Sequence, residues 1–90
     1  MAARTATVHN LSSDGYNVAR GTVAAANLDT FDTGLTNIDG FSATAGTADT
    51  VVTLNAATAG VATVNVFVAG AASAGTQTFY WKAWQRPQRI

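Results

Sequence analysis

The sequence predicts a small all-β fold, an antiparallel β-sandwich or barrel of about six short strands. Three observations predict it. Clusters of Gly, Asp, Asn and Ser punctuate the chain at fairly regular intervals, as turns between short strands do. The segments between them are rich in Val, Thr and aromatic residues, which suit a pleated, half-buried surface. The last two segments also alternate with a period of two. Alanine is abundant and favours helices, but here it is interleaved with Thr, Val and Gly. Glutamate is absent and Lys82 is the one lysine, so the i,i+4 ion pairs of a surface helix cannot be built.

The expected turns are Ser12-Ser13-Asp14-Gly15, residues 27–29, Asp32-Thr33-Gly34, residues 46–49, Thr58-Ala59-Gly60 and residues 70–75. Six strands are expected between them, over residues 5–10, 17–26, 35–43, 50–56, 61–69 and 76–85. In the second, Ala24-Ala25-Ala26 favours a helix, whereas Gly21, Thr22 and Val23 favour a strand, and a strand is expected. The third places Leu35 and Phe41 on one parity and Ile38 on the other, and a β-bulge near Gly40 would re-phase them. In the fifth, Ala62, Val64, Val66 and Val68 share one face, opposite Val61, Thr63, Asn65, Phe67 and Ala69. The sixth puts Phe79, Trp81 and Ala83 on one face and Thr78, Tyr80, Lys82 and Trp84 on the other. The predicted core is Val8, Val23, Leu35, Ile38, Val52, Leu54, Val64, Val66, Val68, Phe79 and Trp81. Residues 70–75, all Gly, Ala and Ser, read as a flexible hairpin loop.

Ninety residues make one domain, residues 1–90, with 86–90 expected as a C-terminal tail because Pro87 cannot continue a central strand. There are no cysteines to form a disulfide staple and no Cys or His cluster for a structural metal, so no cofactor or metal is expected. Hydrophobic residues make up 48% and charged residues only 11%, against about 25% charged in ordinary domains. A chain so poor in charge is expected to cover part of its surface with neighbouring subunits, as a homo-oligomer. Met1-Ala2-Ala3-Arg4 leads into no apolar h-region, and residues 61–75 are too short and too polar to span a bilayer. No membrane association is expected, and synthesis is placed in the cytoplasm.

The residue patterns that could carry chemistry are weighed against their structural alternatives. Asp32-Thr33-Gly34, between Phe31 and Leu35, matches the nucleophile triplet of aspartic proteases, in which two close carboxylates share a proton. No second apolar-Gly segment braces it, and Asp followed closely by Gly also makes a plain turn. Asp29, Asp32 and Asp39 offer oxygen ligands for calcium, but their spacing is not that of an EF-hand, and solvated turn carboxylates are expected. His9 lies near Ser12, Ser13 and Asp14, yet the segment holds no nucleophile elbow or oxyanion hole. His9 is expected at a strand end on the surface. No catalytic residue is assigned.

The run from Tyr80 through Trp81, Lys82, Trp84, Arg86 and Arg89 to Ile90 interleaves aromatic and basic side chains. Such a run can stack on bases. A formal net charge of zero and the lack of a second basic patch argue against phosphate binding, so no nucleic acid is expected. Charge is unevenly divided along the chain. Residues 46–90 carry Lys82, Arg86 and Arg89 against Asp49, whereas residues 1–45 carry Arg4 and Arg20 against Asp14, Asp29, Asp32 and Asp39. Opposite halves of this kind suit head-to-tail packing of like subunits. Trp and Arg often dominate interfaces, and the expected contact residues are Tyr80, Lys82, Trp84, Arg86, Arg89 and Ile90, with Trp84 as an exposed anchor.

The segment Phe31-Asp32-Thr33-Gly34-Leu35-Thr36-Asn37-Ile38-Asp39-Gly40-Phe41, followed by a Val/Thr/Ala-rich strand pair and then Phe79-Tyr80-Trp81-Lys82-Ala83-Trp84, resembles small virion structural proteins of tailed bacteriophages. The resemblance spans most of residues 28–84. It implies a capsid decoration (cement) protein, or a small tail or fibre component, built as a β-sandwich or barrel. The implied partners are the major capsid protein or other virion proteins, with a trimer about a local symmetry axis and location in the virion. It carries over no catalytic residue. The alternative reading is a carbohydrate-binding β-sandwich whose stacking platform is Tyr80 and Trp84.

Overall fold

The computed structural model describes residues 2–13 and 16–86, and among these it is all-β. Nine strands run in chain order: β1 (Ala3–Arg4), β2 (His9–Ser13), β3 (Tyr16–Ala25), β4 (Thr30–Asp32), β5 (Gly40–Ala45), β6 (Thr50–Thr58), β7 (Val61–Val68), β8 (Ala71–Ala72) and β9 (Gln77–Gln85). They form two sheets that face each other as a sandwich. One sheet has the order β1-β4-β7-β6, with β8 also on β7, and the other β2-β3-β9-β5. Every pairing is antiparallel except the short β1–β4 contact.

The expected strands over 17–26, 50–56, 61–69 and 76–85 appear with small shifts at their ends. The strands number nine and not six: β1 and β4 lie where none was expected, β2 runs through Ser12 and Ser13 of an expected turn, and three further regions differ. Residues 5–8 are not a strand, because the chain there crosses from the sheet of β1 to that of β2. Thr7 passes against β3, where its amide donates to the Thr22 carbonyl at 2.9 Å and its hydroxyl accepts the Thr22 amide at 2.9 Å. Gly21 makes room for this crossing, since a Cβ there would collide with the Thr7 carbonyl. The expected strand over 35–43 begins only at Gly40. Residues 34–39 instead form a loop, so no bulge near Gly40 is needed, and the register break lies in β6 between Leu54 and Ala56. Finally, residues 70–75 are not all loop. Ala71–Ala72 pairs back onto β7 through a two-residue turn with both Ala69 (φ 52°) and Gly70 (φ 83°) left-handed, the geometry that matches hairpin twist.

The core lies between the inward faces of the two sheets. Val23, Val52, Val64, Val66, Phe79 and Trp81 are buried as predicted, and Val8, Leu35, Ile38 and Leu54 pack against them half-buried. Val68, at the end of β7, is also only half-buried. The predicted core omits Phe31, at 1% exposure among the most buried side chains. Phe31 projects from β4 onto three aromatics of the opposing sheet, with ring centroids 5.0 Å from Trp81, 6.2 Å from Phe41 and 6.3 Å from Phe79. Their tilted and edge-on geometry adds about 0.5–1.5 kcal/mol per pair to simple burial. Buried Ala19, Ala25, Ala62 and Ala83 fill the spaces around them. Alanine on the inward faces lets the sheets close around a few large rings, which is how the chain uses its alanine without forming a helix.

Candidate functional site

β9 is the central strand that positions the site. Its inward residues, Phe79, Trp81, Ala83 and Gln85, are all buried, so its alternate residues Thr78, Tyr80, Lys82 and Trp84 must lie on the outer face of the four-stranded sheet. The flanking registers bring other strands into line with them. Lys82 is directly opposite Arg20 of β3 on one side and Ser42 of β5 on the other, and Arg20 is in turn opposite His9 of β2. One row across all four strands therefore reads His9, Arg20, Lys82, Ser42. The next row sets Tyr80 between Thr22 and Thr44, and the row on the other side sets Trp84 between Val18 and Gly40.

The first two of these rows border a shallow groove of about 480 Å³ that takes in Thr7 and His9 at one rim and Ser42 and Thr44 at the other. Tyr80 rises from it at 65% exposure, the most exposed of the large hydrophobic side chains among the described residues. Among the described residues Arg20 and Lys82 have no acidic partner, and the one ion pair joins Arg4 and Asp29. The Lys82 ammonium lies 5.8 Å from the Trp84 ring centroid, a cation–π distance.

Of the expected contact residues, Tyr80 and Lys82 are exposed on this face and Arg86 is exposed just beyond the end of β9. Trp84 is not a freely exposed anchor. It is half-buried, and its indole covers Gly40, where a Cβ would collide with the ring. The expected Arg89 and Ile90, with the rest of the tail from Pro87, lie outside the described residues. The separation into an acidic and a basic half of the chain does not survive folding, because β3 carries Arg20 of the first half to the side of Lys82 of the second.

The opposite outer face, on the other sheet, is different in character. Val51 and Phe67 are cross-strand partners at 60% and 38% exposure, with Ala72 opposite Phe67 on its other side. Beside this apolar patch, Asn65 accepts from Asn55 at 3.0 Å and donates to Thr53 at 3.2 Å, which keeps its amide occupied.

The carboxylates weighed for catalysis or calcium each have hydrogen-bond partners of their own. Asp32 accepts the Gly34 amide at 2.9 Å across the turn, as an Asp-Gly turn does. Asp39 accepts the Arg86 amide at 2.7 Å and the Asn37 side chain at 3.2 Å. Asp29 is not a solvated turn residue. It is 3% exposed and accepts from the amides of Ala26 and Ala2 and from Arg4. Among the described residues no group of three His, Cys, Asp or Glu side chains could hold a metal ion. His9 stands opposite Arg20; Asp14 and the side chains of Ser12 and Ser13 lie outside the described residues.

Sequence reasoning missed Arg20, His9 and Ser42 as neighbours of Lys82. The alternation of β3 already put Arg20 on its outward parity, but only the pairing of β3 with β9, some sixty positions away in the chain, brings the two cations together. No family model, curated protein or solved structure matches this chain.

Proposed function

We propose that this chain is a structural module that packs against other protein chains, and that it serves in a bacteriophage virion as a decoration or cement protein on the major capsid protein or another virion protein. The observation that carries this reading is the presence of two unlike exposed surfaces on opposite sides of one thin sandwich. One is the basic and aromatic face of Arg20, Lys82 and Tyr80, the other the apolar patch of Val51 and Phe67. A body with a different docking chemistry on each side bridges neighbours, and weak contacts repeated over many copies sum to a firm shell. The low charge and the resemblance of residues 28–84 to small phage virion proteins support the same reading. Assembly as a homo-oligomer, a trimer if the virion resemblance holds, would bury the apolar patch between like subunits.

Sedimentation velocity over a wide concentration range, at low and high salt, tests the packing. A discrete oligomer that persists on dilution is expected, and a monomer at every concentration would remove self-assembly from the proposal. Mass spectrometry of density-purified phage particles from the source host tests the virion. The chain should be present in many copies, and its absence would reject that location.

A second reading is a carbohydrate-binding module, favoured by one feature: Tyr80 stands in a groove rimmed by the hydroxyl-bearing residues Thr7, Thr22, Ser42 and Thr44. With Trp84 laid against Gly40, Tyr80 would be the stacking residue. Saturable glycan-array binding that Tyr80→Ala abolishes would favour this reading over the structural one.

A further inference from the structure

We propose that the row His9, Arg20, Lys82, Ser42 is a carboxylate-binding site, and that its occupant is an acidic side chain of a partner protein. The inference rests on the reading of this face as a docking surface and adds the chemistry of what docks there.

The argument begins from a cost. Arg20 and Lys82 are direct cross-strand partners, and like charges in that position weaken a strand pair. His9 extends the row on the Arg20 side, so the adjoining position supplies no compensating carboxylate. Among the described residues none comes from elsewhere either. Asp29 is committed to Arg4, Asp32 to the Gly34 amide and Asp39 to the Arg86 amide and Asn37, while Asp49 lies in the turn between β5 and β6. The contact with Trp84 eases the placement of Lys82 but supplies no anion to its ammonium. A sheet that sets side by side in a groove two cations with no acidic partner among the described residues is complementary to an anion brought from outside.

The geometry suits a single carboxylate. Neighbouring strands lie about 4.8 Å apart, so one carboxylate above the row can meet the planar fork of Arg20 with one edge and the ammonium of Lys82 with the other. The Ser42 hydroxyl, next in the row beyond Lys82, can donate to the same group. Tyr80 in the adjoining row offers an apolar surface to the stem that carries it. A phosphate polymer fits less well. It needs cations spread along its length, whereas here they occupy one row of a chain whose formal net charge is zero.

The test is a titration of the isotopically labelled full chain, followed by NMR, with a capped oligoglutamate peptide. A capped oligoglutamine peptide, a heparin-derived oligosaccharide and a single-stranded oligonucleotide serve as comparisons. Oligoglutamate should shift the amides of Arg20, Ser42, Lys82 and Tyr80, and oligoglutamine should not. Arg20→Gln and Lys82→Gln should each weaken the binding at least tenfold. Lys82→Glu gives an independent readout. It should abolish binding yet raise the midpoint of thermal unfolding, because an opposed pair would replace a like-charged one. No shift with oligoglutamate, shifts confined to other residues, or a response only to the oligosaccharide or oligonucleotide would overturn the proposal. Self-association that persists when oligoglutamate fails to bind would sink this inference alone and leave the docking reading standing.

Discussion

The side chain of Arg4 donates to the carboxylate of Asp29 at 2.6 Å, and the same carboxylate receives the amides of Ala26 at 2.8 Å and Ala2 at 3.0 Å. One buried acid thus closes the turn after β3 and fastens β1 beside β4, where the Thr30 amide also donates to the Ala2 carbonyl. The two partners are unequal. Asp29 is buried, whereas the side chain of Arg4 remains 36% exposed.

Asp29→Ala should therefore cost more than Arg4→Ala. Removing the acid leaves backbone donors facing a buried space, a loss of about 2–4 kcal/mol. Removing Arg4 breaks a partly solvated ion pair and leaves the amide bonds to Asp29 intact, a loss of about 1 kcal/mol or less. Urea unfolding of the two variants checks the order. Equal losses would show that the ion pair, not the amide bonds, holds this corner.

The same acid sets a pH dependence. Burial pushes the pKa of Asp29 up, but the Ala26 amide, the Arg4 side chain and the Ala2 amide outweigh it and hold it below 3.8. A carboxyl whose folded pKa is depressed contributes stability that is full above its unfolded value and is lost as pH falls through the folded one. The stability gap between the native chain and Asp29→Asn should stay constant from neutral pH down to about pH 4, then narrow as the pH falls further. Chemical denaturation of both proteins at a series of pH values reads this directly. A gap that widened toward acid would contradict the sign.

Trp84 and Gly40 form a second local pair, an indole laid over a glycine at the start of β5. Gly40→Ala should force the ring away and cost about 1–3 kcal/mol, the range for overpacking. The same substitution in a Trp84→Ala background should cost less than half as much, since the clash is then gone. A double-mutant cycle with near-ultraviolet circular dichroism measures both the coupling and the displaced ring. Additive losses would mean that the glycine is required for backbone reasons alone.

Much of the sandwich was legible because two signals are local. Alternation in β7 and β9 identified their buried faces residue by residue, and Gly-, Asp- and Asn-rich turns marked most strand ends. What was missed depends on long-range pairing. Phe31 sits in a strand of three residues, too short for periodicity to show, and its burial follows from β7 on one side and the aromatic ring cluster across the sandwich. Residues 35–38 carry strand-like composition, but their loop is fixed from the far end of the chain by Gln85. Tyr80 and Lys82 were legible as outward residues of β9; Arg20 and His9 joined them only through the order β2-β3-β9-β5.

Gln85 shows how that distant constraint works. It is buried at the end of β9, and its side-chain carbonyl accepts the Thr36 amide at 2.9 Å and the Asn37 amide at 3.4 Å, while its amide donates to the Thr36 hydroxyl at 3.0 Å. One amide group thus satisfies backbone donors that a strand neighbour would otherwise have to meet. Gln85→Ala should cost about 1–3 kcal/mol because those donors lose their acceptor. Hydrogen exchange at Thr36 and Asn37 should accelerate well beyond any change at Val64 and Val66 in the core, the mark of a local opening. Gln85→Glu keeps the acceptor but removes the donor to Thr36, so it should protect the two loop amides better than alanine does. Uniform acceleration across both sheets in all variants would show instead that Gln85 supports the sandwich as a whole and not the loop before β5.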